Sequence, residues 1–328
     1  NAHGEQRKLG IELELAGLDL DQLTRIVTDT VGGTVDKLSD YEAVVRGSTV
    51  GEVRIEFDAA LFREFKVRSF VGGLDSTRWD SSDKETLEKS FANMAQWVVP
   101  FELVFDPLPF SRLPELEAVR RALSQKALGT ASSMLYAFGL HLNPEVPDLQ
   151  VHTVLSYLRA FMVLYEQLKQ RHGINPSRSL SGFIAPFPRQ YVLLVLDPAY
   201  DPSQERFIDD YLALNPTRNR PLDLLPLLAQ MEEPRVRAKL PEEKIRKRPA
   251  FHYRMPDSRI DEADWSLSRE WSIWLQVESL ANDRALLAKR ARYELKRLRG
   301  PIGYWLRRAW RTKPLLSSRP MIGITGPD

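Results

Sequence analysis

The chain has no cysteine among its 328 residues. Disulfides, thiolate metal sites and cysteine nucleophiles are therefore excluded, and a reducing compartment, the cytoplasm, is the expected setting. A large surplus of one charge is also missing. The 46 basic and 44 acidic residues leave a net charge of +2, which gives no reason to expect a nucleic-acid binder. No apolar run reaches the ~18–20 residues of a membrane span, and no signal-peptide core follows Asn1. The common catalytic signatures are absent as well. There is no Walker A loop, Gly72-Gly73 is a lone glycine pair, and neither a G-x-S-x-G elbow nor an H-E-x-x-H pair occurs.

What is present supports a folded α+β protein. Hydrophobic residues make up 43% of the chain, enough for a sizeable core. Strands and helices do not alternate with a regular βαβ rhythm, so an antiparallel sheet with helices packed outside it is expected, in one large domain. Helices are expected from Leu18 to Val31, stopped by Gly32-Gly33, and from Ser82 (with Glu85, a capping-box pattern) to Gln96. Others should run from Pro114 to Gln125, Leu149 to Arg171, Phe207 to Leu214 and Leu222 to Met231, with one long helix from Trp265 to about Leu298. Expected strands are Gly10–Leu15, Val44–Arg46 with Glu52–Asp58 as a hairpin, Val98–Asp106, Ser132–Asn143, Gln190–Leu196 as a fully buried run, and Ala250–Met255. Gly72 to Ser82 reads as a loop and Arg235 to Arg248 as a charged, exposed stretch. His152 and His172 read as surface residues, and Trp265, Trp271 and Trp274 as core. Asn1-Ala2-His3-Gly4 begins without methionine, so residues 1–8 read as a disordered or vector-derived lead.

The strand patterns also carry the candidate chemistry. Side chains alternate with period two along a strand, so Gly10-Ile-Glu-Leu-Glu-Leu15 puts Ile11, Leu13 and Leu15 on one face and Glu12 and Glu14 on the other. By the same rule Glu56 and Asp58 share a face, Glu102 faces away from Phe101 and Leu103, and His141 aligns with Asn143. Hard oxygen ligands with one imidazole suit Mg²⁺ or Mn²⁺ better than structural zinc. Arg178, Arg189, Arg218, Arg220, His252 and Arg254 follow as basic groups able to hold the phosphates of a nucleotide.

Five segments, in this order, resemble the amidoligase family of carboxylate–amine ligases, relatives of glutamate–cysteine ligase and glutamine synthetase. They are Gly10-Ile-Glu-Leu-Glu14, Glu102-Leu-Val104, Gly139-Leu-His-Leu-Asn143, Asn215-Pro-Thr-Arg-Asn-Arg-Pro-Leu-Asp223 and Arg248-Pro-Ala-Phe-His-Tyr-Arg254. The resemblance spans about residues 9 to 285 and implies a glutamine-synthetase-like fold, an antiparallel sheet curved into a funnel. It implies amide formation driven by ATP, through an acyl-phosphate, between a carboxylate-bearing and an amine-bearing substrate, peptide or protein included. Glu12, Glu14 and His141 would then be metal ligands, with Glu56 or Asp58 and Glu102 as further candidates, and Arg218, Arg220 and Arg254 would hold phosphates or the substrate carboxylate. Relatives often place a second histidine where this chain has Asn143, a poorer ligand. Two other readings compete: a phosphotransferase on the same fold, and a non-catalytic nucleotide-binding scaffold. The domain layout expected is a ligase domain over 9–288 and a basic extension over 289–328. From Lys289 to Lys313 ten basic residues accompany the single acid Glu294, with Tyr304, Trp305, Leu306 and Trp310 among them. An acidic partner or an anionic surface is the partner this composition suggests; a solvated helix end followed by a loose terminus is the alternative.

Overall fold

The computed structural model describes residues 4–58, 100–130, 132, 138–175, 178, 182, 184–243 and 245–300. The loop expected at Gly72–Ser82, the helix expected from Ser82 to Gln96 and residues 301–328 lie outside the described residues. Among the described residues, eight strands form one sheet with every pairing antiparallel. In chain order they are β1 (Lys8–Leu15), β2 (Thr34–Ser39), β3 (Glu42–Ser48), β4 (Gly51–Phe57), β5 (Phe101–Pro109), β6 (Leu140–Pro144), β7 (Leu222–Asp223) and β8 (His252–Tyr253). Across the sheet they run β2-β3-β4-β5-β1-β6-β8-β7, an open order that makes the fold α+β.

One face of this sheet is apolar and fixes the register. Ile11, Leu13, Val53, Ile55, Leu103, Phe105, Leu140 and Leu142 are all essentially buried in a single hydrophobic cluster. A slip of one residue in any of these strands would turn that set outward and drive its polar neighbours into the core. Eight α-helices complete the described structure: α1 (Leu20–Val31), α2 (Leu113–Leu123), α3 (Val151–His172), α4 (Arg189–Leu196), α5 (Gln204–Leu214), α6 (Leu225–Lys239), α7 (Leu267–Asn282) and α8 (Arg284–Arg299). The first, α1, packs on β3 and α2, and its start is fixed by a capping box in which Asp19 accepts from the Gln22 amide and Gln22 accepts from the Asp19 amide. Behind the other half of the sheet, α3 packs against both α7 and α8.

Several elements differ from the sequence expectation. Gln190–Leu196 is helix α4, not a buried strand. Pro188 precedes it, and burial of Tyr191, Val195 and Leu196 with only partial burial of Val192 to Leu194 is the one-sided pattern of a helix, which a continuous apolar run does not reveal. The helix expected over Leu222–Met231 gives its first two residues to β7, starts at Leu225 and runs on to Lys239, kinked at Glu232 two residues before Pro234. Part of the stretch expected to be exposed, Arg235–Arg248, therefore lies in a helix. The long helix from Trp265 is two helices. Asp283 leaves helical geometry and its carboxylate accepts from the Leu286 amide, capping α8. Strand Ala250–Met255 shrinks to β8, the described part of Ser132–Asn143 is strand only from Leu140, and β2 was not expected at all. Trp265, Trp271 and Trp274 are core as expected, and His152 is exposed. His172 is not a surface residue: it is 1% exposed and joins Glu270 of α7 to the Tyr253 hydroxyl of β8.

The apolar face gives the first prediction. Leu13 is 1% exposed in a central strand, so Leu13→Ala should cost about 2–5 kcal/mol in urea unfolding. A loss below about 1 kcal/mol would mean that this face is not the packed core.

Candidate functional site

The opposite face of the sheet is acidic at its centre. Glu42, Glu56, Glu102 and Glu14 lie in direct cross-strand register on β3, β4, β5 and β1. Like charges directly opposite one another destabilise a sheet, so such a row needs protons or a cation. One step along the strands, Glu12 is opposite His141 of β6, and beyond it His252 and Asp223 pair on β8 and β7. Glu12, Glu14, His141, His252 and Asp223 are each less than a tenth exposed.

Glu12 is well provided for. Its Oε1 accepts from Asn143 Nδ2 at 3.0 Å and from Arg248 Nη1 at 2.9 Å, and its Oε2 lies 3.0 Å from His141 Nδ1 and 3.4 Å from His252 Nε2. Burial opposes its charge, but His252, His141 and Arg248 together prevail and hold the carboxyl well below the usual range. The other two central carboxyls have no such support. Burial, with Asp58 nearby, pushes Glu14 up to about 7 despite its bond from the Gly139 amide and the pull of Arg178. Burial and the surrounding Glu12, Glu14, Asp58 and Glu56 push Glu102 well above the usual range.

His141 connects the two situations. Burial holds its pKa well below the ordinary value, so the ring is neutral and carries one N–H. That proton belongs on Nδ1, donated to Glu12 Oε2. The lone pair is then on Nε2, which is buried, has no hydrogen-bond partner among the described residues and lies 3.4 Å from Glu14 Oε1. A lone pair facing a carboxylate is unfavourable unless a proton or a cation lies between them. A carboxylate that fixes the tautomer of an imidazole while the other nitrogen stays available is the usual support behind a metal-ligating histidine. The ligand atoms of Glu14, Glu102 and His141 lie within 4.8 Å of one another, and so do those of Glu12, His141 and His252. Both groups match the donor set of a divalent cation that tolerates oxygen and imidazole.

On the Glu12 side a cavity of about 400 Å³ opens over the sheet, lined among others by Gly10, Glu12, Arg54, Asn143, Arg246 and Arg248. Its volume is that of a small-molecule site.

A family model described as "Putative amidoligase enzyme" matches residues 5–276. The chain belongs to the amidoligase family. These are ligase-type enzymes, and the match covers every strand and the whole acidic face. No curated protein and no solved structure matches the chain. As for the membrane, no helix among the described residues is long and apolar enough to cross one.

The structure of this amidoligase brings most of the sequence-selected residues to one face. Glu12, Glu14, Glu102 and His141 meet as described, and Glu56 and Asp58 stand half-buried at the edge of the group. His252 lies between Glu12 and Asp223, 3.4 Å from each. Arg178 is buried next to His141. It donates to the carbonyls of Arg254, Met255 and Pro256, and a side chain on Gly139 would lie 2.5 Å from its Nη2 and 3.0 Å from His141 Nε2. Arg254 donates to the Arg218 carbonyl at 2.7 Å, while Arg218 Nε lies 3.8 Å from Asp223 Oδ2. Arg220 instead stacks near Phe187 and donates to the carbonyls of Ala185 and Pro186 and to Asn215. Arg189 lies apart, donating to the Leu298 carbonyl at the end of α8.

Sequence reasoning missed Arg248 as a Glu12 partner, Glu42 as the outer member of the acidic row, and Asp223 as the neighbour of His252. Alternation had no hold on Arg248, which reaches in from a loop. Asp223 lies in a two-residue strand that reads as the start of a helix.

The raised Glu14 pKa has a consequence for stability. Its carboxyl titrates near 4.5 when unfolded and near 7 when folded, so the folded state keeps the proton that the unfolded state releases. The contribution to stability is full below pH 4.5 and is lost as pH rises to about 7, by roughly 3 kcal/mol at most. Glu14→Gln should remove this loss: metal-free mutant and wild type should differ little at pH 5, and the mutant should be the more stable at pH 8, as read by denaturant melts. Equal stability differences at both pH values would show that Glu14 is not ionised under strain.

Proposed function

We propose that this amidoligase is an ATP-dependent carboxylate–amine ligase using Mg²⁺ or Mn²⁺, built on a glutamine-synthetase-like curved sheet. The observation that carries the reading is the His141 Nε2 lone pair held 3.4 Å from Glu14 in a buried site, with Glu102 in the same cluster of ligand atoms. Glu14, Glu102 and His141 would hold the ion, with Glu12 fixing the histidine tautomer from behind. When bound, the ion supplies charge neutralisation and orientation for phosphate oxygens.

In the reaction proposed, the γ-phosphoryl group passes from the ADP oxygen to a substrate carboxylate oxygen, and ADP leaves. The lone pair of an amine then forms the C–N bond as the C–O bond to phosphate breaks. Phosphate departs with that electron pair, and the nitrogen loses its proton to water. The chain's own residues contribute position and charge. Arg178 and Arg254 each pull the Glu14 pKa down, and in this reading they would offset the negative charge that develops next to the acidic row. The apolar opposite face and α3 keep the strands from shifting under that charge.

The test is ATP titration with and without Mg²⁺, followed by ADP release in mixtures of carboxylates and amines. Release should require both substrates, and Glu14→Gln or Glu102→Gln should reduce it by about 100-fold or more. ADP release with a carboxylate alone would favour phosphotransfer. Absence of nucleotide binding at any metal concentration would overturn the ligase reading.

A further inference from the structure

Helix α8 carries positive charge that nothing around it offsets. Three other helices match basic side chains with acids one turn away: Arg120 with Glu117 in α2, Arg206 with Asp210 in α5 and Arg237 with Glu233 in α6. Such pairs steady an exposed helix, and like charges at the same spacing do the reverse. In α8 seven basic residues accompany one acid, Glu294, and Arg297 takes that acid. Arg299 reaches Asp197, just past the end of α4. Lys289, Arg290, Arg292 and Lys296 are all exposed and form no ion pair among the described residues. Arg292 stands three residues after Lys289 and four before Lys296, so these like charges are neighbours along the helix.

The packing of α8 fixes which side these charges face. Leu287, Ala291 and Leu295 are buried at a spacing of four, and α8 packs on α3, α4 and α7. Directly opposite that stripe runs the row Leu286, Lys289, Tyr293 and Lys296, with Arg290 and Arg292 on its flanks. Tyr293 is 72% exposed and Leu286 37%. An exposed ring alone says little, but here it stands in the middle of four unmatched cations. Beyond α8 the sequence keeps this composition: residues 301–313 hold Tyr304, Trp305, Leu306 and Trp310 with four basic residues and no acid.

Charge and apolarity together select the partner. Phosphates of either a nucleic acid or a lipid would meet the basic groups. Leucine, tyrosine and tryptophan interleaved with them gain most at a bilayer interface, where rings and aliphatic stems enter the headgroup layer and the charges stay at the phosphates. A cluster of four or more Lys and Arg on such a helix is enough to hold a protein to anionic lipid. With 16 residues, eight of them charged, α8 is suited to lie along a membrane and not to cross it.

We propose that the outer face of α8 docks this protein on the surface of an anionic lipid bilayer. The helix lies parallel to the membrane, with Tyr293 at headgroup level and Lys289, Arg290, Arg292 and Lys296 against lipid phosphates. The inference goes beyond the ligase reading and does not rest on it, since α8 lies outside residues 5–276 that match the family.

Flotation of the full chain with phosphatidylcholine vesicles, with and without about 30% phosphatidylglycerol, reads the docking directly. The protein should partition about tenfold or more strongly onto the anionic vesicles, and about 0.5 M NaCl should remove most of that gain. Lys289→Gln, Arg292→Gln and Lys296→Gln together should weaken partition by about 100-fold, roughly fivefold for each charge, without lowering the melting temperature. Because the chain has no cysteine, Tyr293→Cys supplies a single attachment point for an environment-sensitive fluorophore. Its emission should shift to the blue on anionic vesicles, whereas the same label at Thr34→Cys, exposed on β2, should not respond. Equal partition onto neutral and anionic vesicles, undiminished partition of the triple variant or equal responses from the two labels would overturn the proposal. Tighter binding to duplex DNA or RNA than to the anionic vesicles at the same ionic strength would also overturn it, and would make this a nucleic-acid surface instead.

Discussion

The structure depends on a conflict built into its sheet. The apolar residues of β1, β4, β5 and β6 must all point to the same side to form the core, and the register that achieves this places Glu42, Glu56, Glu102 and Glu14 opposite one another on the other side. The core is large and the strands cannot slip without exposing it. Hydrophobic burial therefore imposes an electrostatic cost that the acidic face cannot relieve by moving. Relief has to come from protons or from a cation, and burial with like charge nearby pushes the carboxyls of Glu14 and Glu102 up accordingly.

Not every carboxylate on this face is under the same strain, and the difference assigns roles. Glu12 has four polar neighbours, His141, Asn143, Arg248 and His252, and keeps its charge. Glu14 has one backbone amide, and Glu102 is surrounded by other acids. A carboxylate already satisfied has less to gain from a metal than one that is not, so Glu12 is better suited to orient His141 than to bind an ion alone. The fixed ring then offers its free nitrogen to the side where charge compensation is missing. Behind β8, the buried His172 bridge from Glu270 to Tyr253 ties the strand that carries His252 to α3 and α7, so the imidazole is held from the core as well as from the site.

Much of this was legible in the sequence because strand alternation is a local rule. Ile11-Glu12-Leu13-Glu14 and Phe101-Glu102-Leu103 show which residues share a face without any knowledge of partners, and His141 with Asn143 follows in the same way. The cross-strand register was not legible, and with it the alignment of Glu42 with Glu56. Short elements were also hidden. A strand of two residues has no period, so Asp223 reads as part of the helix that follows, and Ala250–Met255 reads as longer than β8. The Gln190–Leu196 run was misread because full apolarity removes the alternation that separates strand from helix. Arg248 could not be found by any periodic argument, since its contact with Glu12 spans 236 positions and comes from a loop.

Glu12 stands at the boundary between two chemical environments. On one side are carboxylates crowded by like charge, and on the other is a cavity lined by Arg54, Arg246 and Arg248. A single carboxylate thus orients His141 through one oxygen and holds Asn143 and Arg248 through the other. Any change that moves Glu12, whether an ion drawing on His141 or a ligand drawing on Arg248, is felt on the opposite side through hydrogen bonds no more than about 3 Å long. Such a link requires no moving domain, only one shared carboxylate on a strand that the core does not allow to shift.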